Sequence, residues 1–215
     1  MTPTVELVRA SESVPTGEHP VEPARAGELV PTVEHAGKSG VSLDIDLLDT
    51  IIVNLYGTVD DSIVDGPGIR FAIFTQGCRH ACPGCHNPAA QPFAGGKQVS
   101  AAELWEKVEA NPLLAGITLT GGEPFEQADA LIALTRCVRE KGLSTWAYSG
   151  YLYEELLAGV PNSAAPVLLK YVDVLVDGLF IESLRTLDLL WRGSSNQRLI
   201  DVAASLAAQR VIEWN

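Results

Sequence analysis

Three closely spaced cysteines constrain this chain more than any other feature of its sequence. Cys78, Cys82 and Cys85 lie within eight residues of one another, inside the segment 75–87. Three soft thiolates at C-x3-C-x2-C spacing suit an iron–sulfur cluster or a thiophilic metal such as zinc. Three ligands are one short of completing a tetrahedral site, and an open position is typical of metal sites that bind and transform a ligand.

Other interpretations of the triplet stay open when it is considered alone. Disulfides would leave one cysteine unpaired, and a pair at such close spacing would be strained. A structural zinc site could take its fourth ligand from His80 or His86. The triplet alone therefore indicates iron–sulfur and zinc sites about equally.

The size and charge of the chain exclude several classes of partner. Its 215 residues, 47% of them hydrophobic, suffice for one domain with a substantial core. The net charge of −12 and the lack of a basic run argue against nucleic acid or an anionic membrane surface as partner. No apolar run of about 18 residues and no signal-peptide pattern is present, so we expect a cytoplasmic protein. In such a reducing compartment, clustered cysteines bind metal more often than they form disulfides.

Residues 1–46 differ in composition from the rest of the chain. Five of the 13 prolines lie here, and acidic residues outnumber basic ones eight to three. Since the segment has no apolar periodicity, we expect a disordered, acidic, proline-rich tail that acts as a spacer. Residues 47–215 form the predicted folded domain.

Beyond the tail, short apolar runs alternate with helical patterns. Strands are predicted at 51–56, 69–75, 117–120, 144–148 and 172–176, with further candidates at 199–202 and 211–214. Helices are predicted at 101–110 after a capping sequence, at 128–141 before Gly142, and at 152–158. The alternation predicts an α/β fold with a mostly parallel sheet. A complete eightfold barrel usually needs about 250 residues, so we expect a partial barrel or an open sheet. Ligands should bind at the carboxyl ends of its strands.

A Gly-Gly-Glu-Pro sequence follows the predicted strand at 117–120. Gly121 and Gly122 allow the backbone to approach a ligand closely, and Glu123 can accept hydrogen bonds from an ammonium group. Alone, this sequence would indicate only a turn. Its position downstream of a C-x3-C-x2-C triplet favours a binding site.

With both motifs in this order, the sequence resembles the radical S-adenosylmethionine (SAM) superfamily. Within it, the chain is most similar to the activating proteins of anaerobic ribonucleoside-triphosphate reductases. The closer similarity comes from Asp-Gly-Pro-Gly-Ile-Arg at 65–70, Cys-Pro-Gly-Cys at 82–85, Val-Leu-Val-Asp-Gly at 174–178 and Trp-Arg-Gly-Ser-Ser-Asn-Gln at 191–197. It covers about residues 51–202 and implies a partial (β/α) barrel of the radical SAM type.

The resemblance implies a cofactor, a reaction and a partner. Cys78, Cys82 and Cys85 would bind three irons of a 4Fe-4S cluster, and the fourth iron would bind SAM. The turn at 121–123 would hold the methionine ammonium of SAM. Reductive cleavage of SAM would produce a radical that removes a hydrogen from a backbone glycine of the reductase, leaving a glycyl radical. A flavodoxin- or ferredoxin-type protein would donate the electron.

The resemblance also implies roles for residues outside the two motifs. Asp177 would bind the cofactor ribose or steady a cationic site, and Arg192, with its polar neighbours, would bind a carboxylate or order a loop. Gly84 stands before the third cysteine, where many relatives have an aromatic residue beside the adenine. That contact would be lost or would pass to His86. The segment 65–70 would line the partner's entry path or position the cofactor.

Two further departures from the family limit what the resemblance implies: the proline-rich tail is not part of the family core, and Leu179 differs from some relatives. Leu179 stands where some relatives carry a lysine, so a cationic role there is in doubt. Cys137 lies on an apolar helix face and is expected to be a buried, inert thiol.

Three alternative functions remain: an activase of another glycyl-radical enzyme, a radical SAM enzyme with a small-molecule substrate, and a non-catalytic zinc or iron–sulfur binding module.

Overall fold

The computed structural model describes residues 45–214, and the predicted tail lies almost entirely outside them. The described part contains seven strands and six helices. The strands are β1 (Ile52–Ser62), β2 (Arg70–Thr75), β3 (Lys97–Ser100), β4 (Gly116–Gly121), β5 (Ser144–Tyr148), β6 (Val174–Asp177) and β7 (Arg198–Asp201). The helices are α1 (Ile45–Thr50), α2 (Ala101–Ala110), α3 (Ala128–Glu140), α4 (Tyr153–Leu157), α5 (Ala165–Leu169) and α6 (Val202–Ala208). None of these helices has the length and apolar character needed to cross a bilayer.

All seven strands belong to one sheet, in the order β3-β1-β2-β4-β5-β6-β7. The four central strands β2, β4, β5 and β6 run parallel, while β1, β3 and β7 add antiparallel pairs at the two sides. The structure confirms the mixed α/β class with its parallel centre. The sheet is open and not closed, and a partial barrel of the radical SAM type stays a prediction.

The central strands are buried because helices cover the sheet. Ile117 and Leu119 of β4 have no solvent exposure and belong to the same core cluster as Leu131 and Leu134 of α3. Helix α3 buries the predicted apolar face, which consists of Leu131, Leu134, Cys137 and Val138. Its end is the predicted one, since Gly142 follows with a φ of +79°. Helix α2 begins at the predicted cap, where Ser100 Oγ accepts a hydrogen bond from Glu103 N at 3.1 Å.

Several element boundaries differ from the sequence-based expectations. Strand β1 continues to Ser62 although its second half is polar, because it pairs with β2 through partners such as Thr58 and Ile73. Residues 211–214 form only an isolated bridge to Ile200, so the strand predicted there is wrong. Their apolar character reflects packing, since the Trp214 ring lies against Trp146 with centroids 5.1 Å apart. The short elements β3, α5 and α6 were not predicted.

The parallel centre of the sheet positions the functional site. Strands β2, β4, β5 and β6 end at one edge and deliver four loops there, which start after Thr75, Gly121, Tyr148 and Asp177. The first of these loops, residues 76–87, carries the three cysteines and is called the cysteine loop below. The second of these loops, which starts after Gly121, carries the rest of the Gly-Gly-Glu-Pro turn. The two sequence motifs are therefore neighbours because β2 and β4 are neighbours.

Candidate iron–sulfur site

A cavity of about 550 Å³ opens at the carboxyl ends of the parallel strands. Its volume lies within the range of roughly 300–1,000 Å³ that is usual for small-molecule sites. Eight of the nine site residues expected from the sequence line it: Cys78, Cys82, Cys85, His86, Gly121, Gly122, Glu123 and Arg192. The exception is Asp177, which is not among the lining residues.

The cysteine loop is held at its base by backbone hydrogen bonds. Gly77 N donates to Ala90 O and Cys78 N donates to Gln91 O, both at 2.8 Å. Further along, Cys85 N donates to Cys82 O at 3.2 Å and closes a turn between these two cysteines. All three cysteines are free thiols and partly buried. The loop thus presents its sulfur atoms to the cavity without a disulfide.

Each of the three sulfur atoms has a backbone amide beside it. Burial raises the pKa of Cys78 to about 11 and also raises the pKa of Cys82. The amides of His80 and Phe180 oppose these shifts and lower the pKa of Cys78 and Cys82 respectively. At the third cysteine, Asn87 N donates to Cys85 Sγ at 3.4 Å. Amide donors to cysteine sulfur stabilise thiolates and tune iron–sulfur clusters, so the three side chains fit such a cluster.

The histidines that could complete a zinc site point elsewhere. His80 Nε2 lies 3.1 Å from Glu123 Oε2, and the His86 ring packs on Phe180 with centroids 5.2 Å apart. In the described part of the chain, no three His, Cys, Asp or Glu side chains are close enough to hold one metal ion. A structural zinc site needs four ligands that converge on one ion, whereas a cluster spreads its cysteines over several irons. In this arrangement both histidines contact other side chains, so neither completes a four-ligand zinc site with the three cysteines.

The Gly-Gly-Glu turn is locked against the base of the cysteine loop. Gly122 N donates to Thr75 O and Glu123 N donates to Gly77 O, both at 2.8 Å. Gly121 has a φ of +95°, and a Cβ there would lie 2.6 Å from the Cα of Phe74. Only glycine fits at this position, because both the conformation and the space exclude a side chain. The two motifs thus form one wall of the cavity.

Asp177 and Arg198 form a buried ion pair away from the cavity. The Asp177 carboxylate has no solvent exposure and accepts hydrogen bonds from Tyr153 N at 2.8 Å and Arg198 Nε at 2.9 Å. A second guanidinium nitrogen of Arg198 also donates to it. This placement gives Asp177 a role in joining β6, β7 and α4.

Arg192 also lines the cavity and has few protein partners. Among the described residues, Arg192 Nη1 makes one long hydrogen bond of 3.4 Å to Gln197 O, and its buried Nε has no partner there. The loop itself is firmly held, because Gln197 Oε1 accepts hydrogen bonds from Gly193 N at 2.9 Å and Ser194 N at 3.2 Å. A guanidinium that lines a cavity and makes few hydrogen bonds to the protein is suited to binding an anionic group.

Phe180 is a cavity residue that the sequence did not reveal. It follows β6, lines the cavity and packs on His86 next to the third cysteine. A side chain at Gly84 would be strained, since its φ is +70°, and a Cβ there would lie 2.9 Å from the Glu182 carboxyl carbon, which would have to move. Leu179 is 45% exposed and does not line this cavity. The position of Phe180 directly after a strand end is the one sequence signal that could have indicated it.

Comparisons with known proteins identify the family. Residues 64–200 match the family model of a 4Fe-4S single cluster domain, which supports an iron–sulfur cluster at this site. The anaerobic ribonucleoside-triphosphate reductase-activating protein of Salmonella typhi is 35% identical in an alignment of 145 residues that covers 63% of this chain and 90% of that protein. The proteins of the same name from Escherichia coli K12 and Enterobacteria phage T4 are each 34% identical, with 90% and 86% of their lengths covered. The chain therefore belongs to the family of the anaerobic ribonucleoside-triphosphate reductase-activating proteins.

Proposed function

We propose that the chain is a radical SAM activating enzyme that creates a glycyl radical on an anaerobic ribonucleoside-triphosphate reductase. One observation carries this proposal: the cysteine triplet and the Gly-Gly-Glu turn line a single cavity at the carboxyl ends of parallel strands. The names of the relatives supply the partner. The cofactors are a 4Fe-4S cluster and SAM.

The chain's own residues hold and orient the cofactors. Cys78, Cys82 and Cys85 would hold the cluster through three of its irons. The backbone of Gly121 and Gly122 supports the methionine part of SAM, because these residues bring the main chain to the cavity wall without side chains. When bound, the cluster and SAM supply the reductive cleavage and the radical that removes a glycine hydrogen.

The remaining cavity residues suit the other parts of SAM. Arg192 offers guanidinium donors for the methionine carboxylate, since its Nε is buried and unpaired within the described residues. His86 and Phe180 present adjoining aromatic rings for the adenine. Asp177, with its carboxylate committed to Arg198 and Tyr153, contributes by holding the end of β6.

The rim of the cavity favours a protein substrate over a small molecule. Val64 and Leu187 both line the cavity, yet they are 72% and 88% exposed. Exposed apolar side chains beside a site are typical of surfaces that bind another protein. A loop that carries a backbone glycine can approach through such a mouth. The electron then comes from a flavodoxin- or ferredoxin-type donor in the cytoplasm.

Product analysis tests the proposed chemistry. Anaerobically reconstituted protein with SAM and a strong reductant should form 5′-deoxyadenosine and methionine. Cys85→Ala should abolish both products, whereas Cys137→Ala should retain them, because Cys137 is buried on α3 outside the cavity. The proposal fails if wild-type protein with a full complement of iron forms neither product, or if purified protein holds zinc.

A further inference from the structure

Two side chains of the cysteine loop are tied to carboxylates of the neighbouring turn. Arg79 and His80 lie between the first two cysteines. His80 Nε2 is 3.1 Å from Glu123 Oε2, and Arg79 Nη2 donates to Glu126 Oε2 at 2.6 Å. Glu123 and Glu126 both belong to the segment that follows β4. The loop and the turn are therefore joined through side chains as well as through the backbone.

The Glu123 carboxylate has a full set of hydrogen-bond donors. Oε1 accepts from Phe125 N at 3.1 Å and Ser149 Oγ at 3.0 Å. Oε2 accepts from Gly150 N at 2.8 Å and lies 3.1 Å from His80 Nε2, which donates the fourth bond in the tautomer that carries its proton there. A carboxylate has about four acceptor positions, and this side chain is only 1% exposed. An ammonium group would have to displace one of these donors.

The surroundings of His80 form a slot that fits its ring. A Cβ on Gly150 would lie 2.4 Å from His80 Cδ2, so the ring occupies the space that a side chain would need. On another side, the Tyr151 ring meets His80 edge-on with centroids 4.4 Å apart. Tyr151 Oη donates in turn to Glu126 Oε1 at 2.7 Å. The two carboxylates thus belong to one connected network around the first half of the cysteine loop.

We infer that Glu123 is a positioning residue, which holds the cysteine loop through His80 and does not bind the methionine ammonium of SAM. The statement about the ammonium rests on the proposed function, whereas the statement about the loop does not. The methionine ammonium of SAM would then bind to backbone oxygens of the Gly-Gly-Glu turn. Loss of the His80–Glu123 contact should loosen the cluster while SAM affinity changes little.

Two measurements on each variant separate these roles. The first is the rate of iron release from the reconstituted protein to a ferrous chelator, and the second is the SAM dissociation constant from equilibrium dialysis. His80→Ala and Gly150→Ala should each release iron about tenfold faster, since each removes one hydrogen bond to a charged group. The SAM dissociation constant should stay within about threefold. His80→Gln, which can still donate to Glu123, should restore slow release.

The matched control is Gly57→Ala, since a Cβ at Gly57 meets no atom within 4 Å. It should leave both measurements at wild-type values. The inference is overturned if His80→Ala and Gly150→Ala release iron at the wild-type rate. It is also overturned if Glu123→Gln weakens SAM binding by about 100-fold or more with unchanged iron release. Absence of SAM binding to wild-type protein would refute the proposed function, while the iron-release comparison would still decide whether Glu123 holds the loop.

Discussion

Replacing Arg198 with alanine should destabilise the folded domain, because it leaves a buried carboxylate without its counter-ion. Asp177 has no solvent exposure, and without Arg198 the hydrogen bond that remains to it among the described residues comes from Tyr153 N. Removing one partner of a buried ion pair typically costs about 3–5 kcal/mol. The Arg198 side chain is 30% exposed, so water can partly replace it. We therefore expect a loss near the lower end, about 3 kcal/mol.

Thermal unfolding of the metal-free, reduced protein, followed by circular dichroism, measures this loss. For a domain of this size, about 3 kcal/mol lowers the melting temperature by about 6–12 °C. Glu154→Gln is the matched control, because Glu154 is the 56% exposed partner of the same arginine. An exposed pair contributes less than about 1 kcal/mol, so this variant should melt within about 4 °C of wild type.

The outcome also bears on the role of Asp177. The reasoning is refuted if Arg198→Ala melts within about 2 °C of wild type. A cofactor-binding role would show differently, since Asp177→Asn would then weaken SAM binding and leave the melting temperature unchanged. A structural role for Asp177 predicts that Arg198→Ala and Asp177→Asn both lower the melting temperature and leave SAM binding unchanged.

Three further predictions concern individual residues. The hydrogen bond from Arg198 lowers the pKa of Glu154 below its usual value of 4.5, so its stabilisation is present above that pH and is lost as the pH falls through the lowered value. Urea midpoints should therefore drop on acidification below about pH 4.5 by less in Arg198→Ala than in wild type. Gly121→Ala should lower the urea midpoint strongly, while Gly57→Ala should not, because only the first Cβ meets backbone atoms. Arg192→Ala should raise the SAM dissociation constant by about tenfold or more at a nearly unchanged melting temperature; equal affinity would exclude it from the site.

The elements that could be predicted from sequence carry local signals of their own. Helix α3 has a regular apolar face and a terminal Gly142, and α2 has the cap at Ser100. The second half of β1 has no such signal, because its polar residues become strand only by pairing with β2. Local pattern describes what a segment prefers, whereas β1 depends on a neighbour that is distant in sequence.

The same distinction applies to the site. The cysteine triplet and the Gly-Gly-Glu turn are each short contiguous motifs, so both could be recognised in the sequence before the fold was known. The His80–Glu123 contact joins residues 43 positions apart, and its geometry depends on the pairing of β2 with β4. Likewise, Asp177 follows an apolar strand like a ligand-binding residue, but its partner Arg198 lies 21 positions later on β7. Such pairings follow from strand order, which composition and spacing do not specify.

The central claim is most directly tested by electron paramagnetic resonance. The sample contains reconstituted protein, SAM, a strong reductant and the anaerobic ribonucleoside-triphosphate reductase from the same cell. The account predicts a carbon-centred doublet on the reductase, present with Cys137→Ala and absent with Cys85→Ala. An intact cluster that yields no doublet on the reductase under these conditions would contradict it.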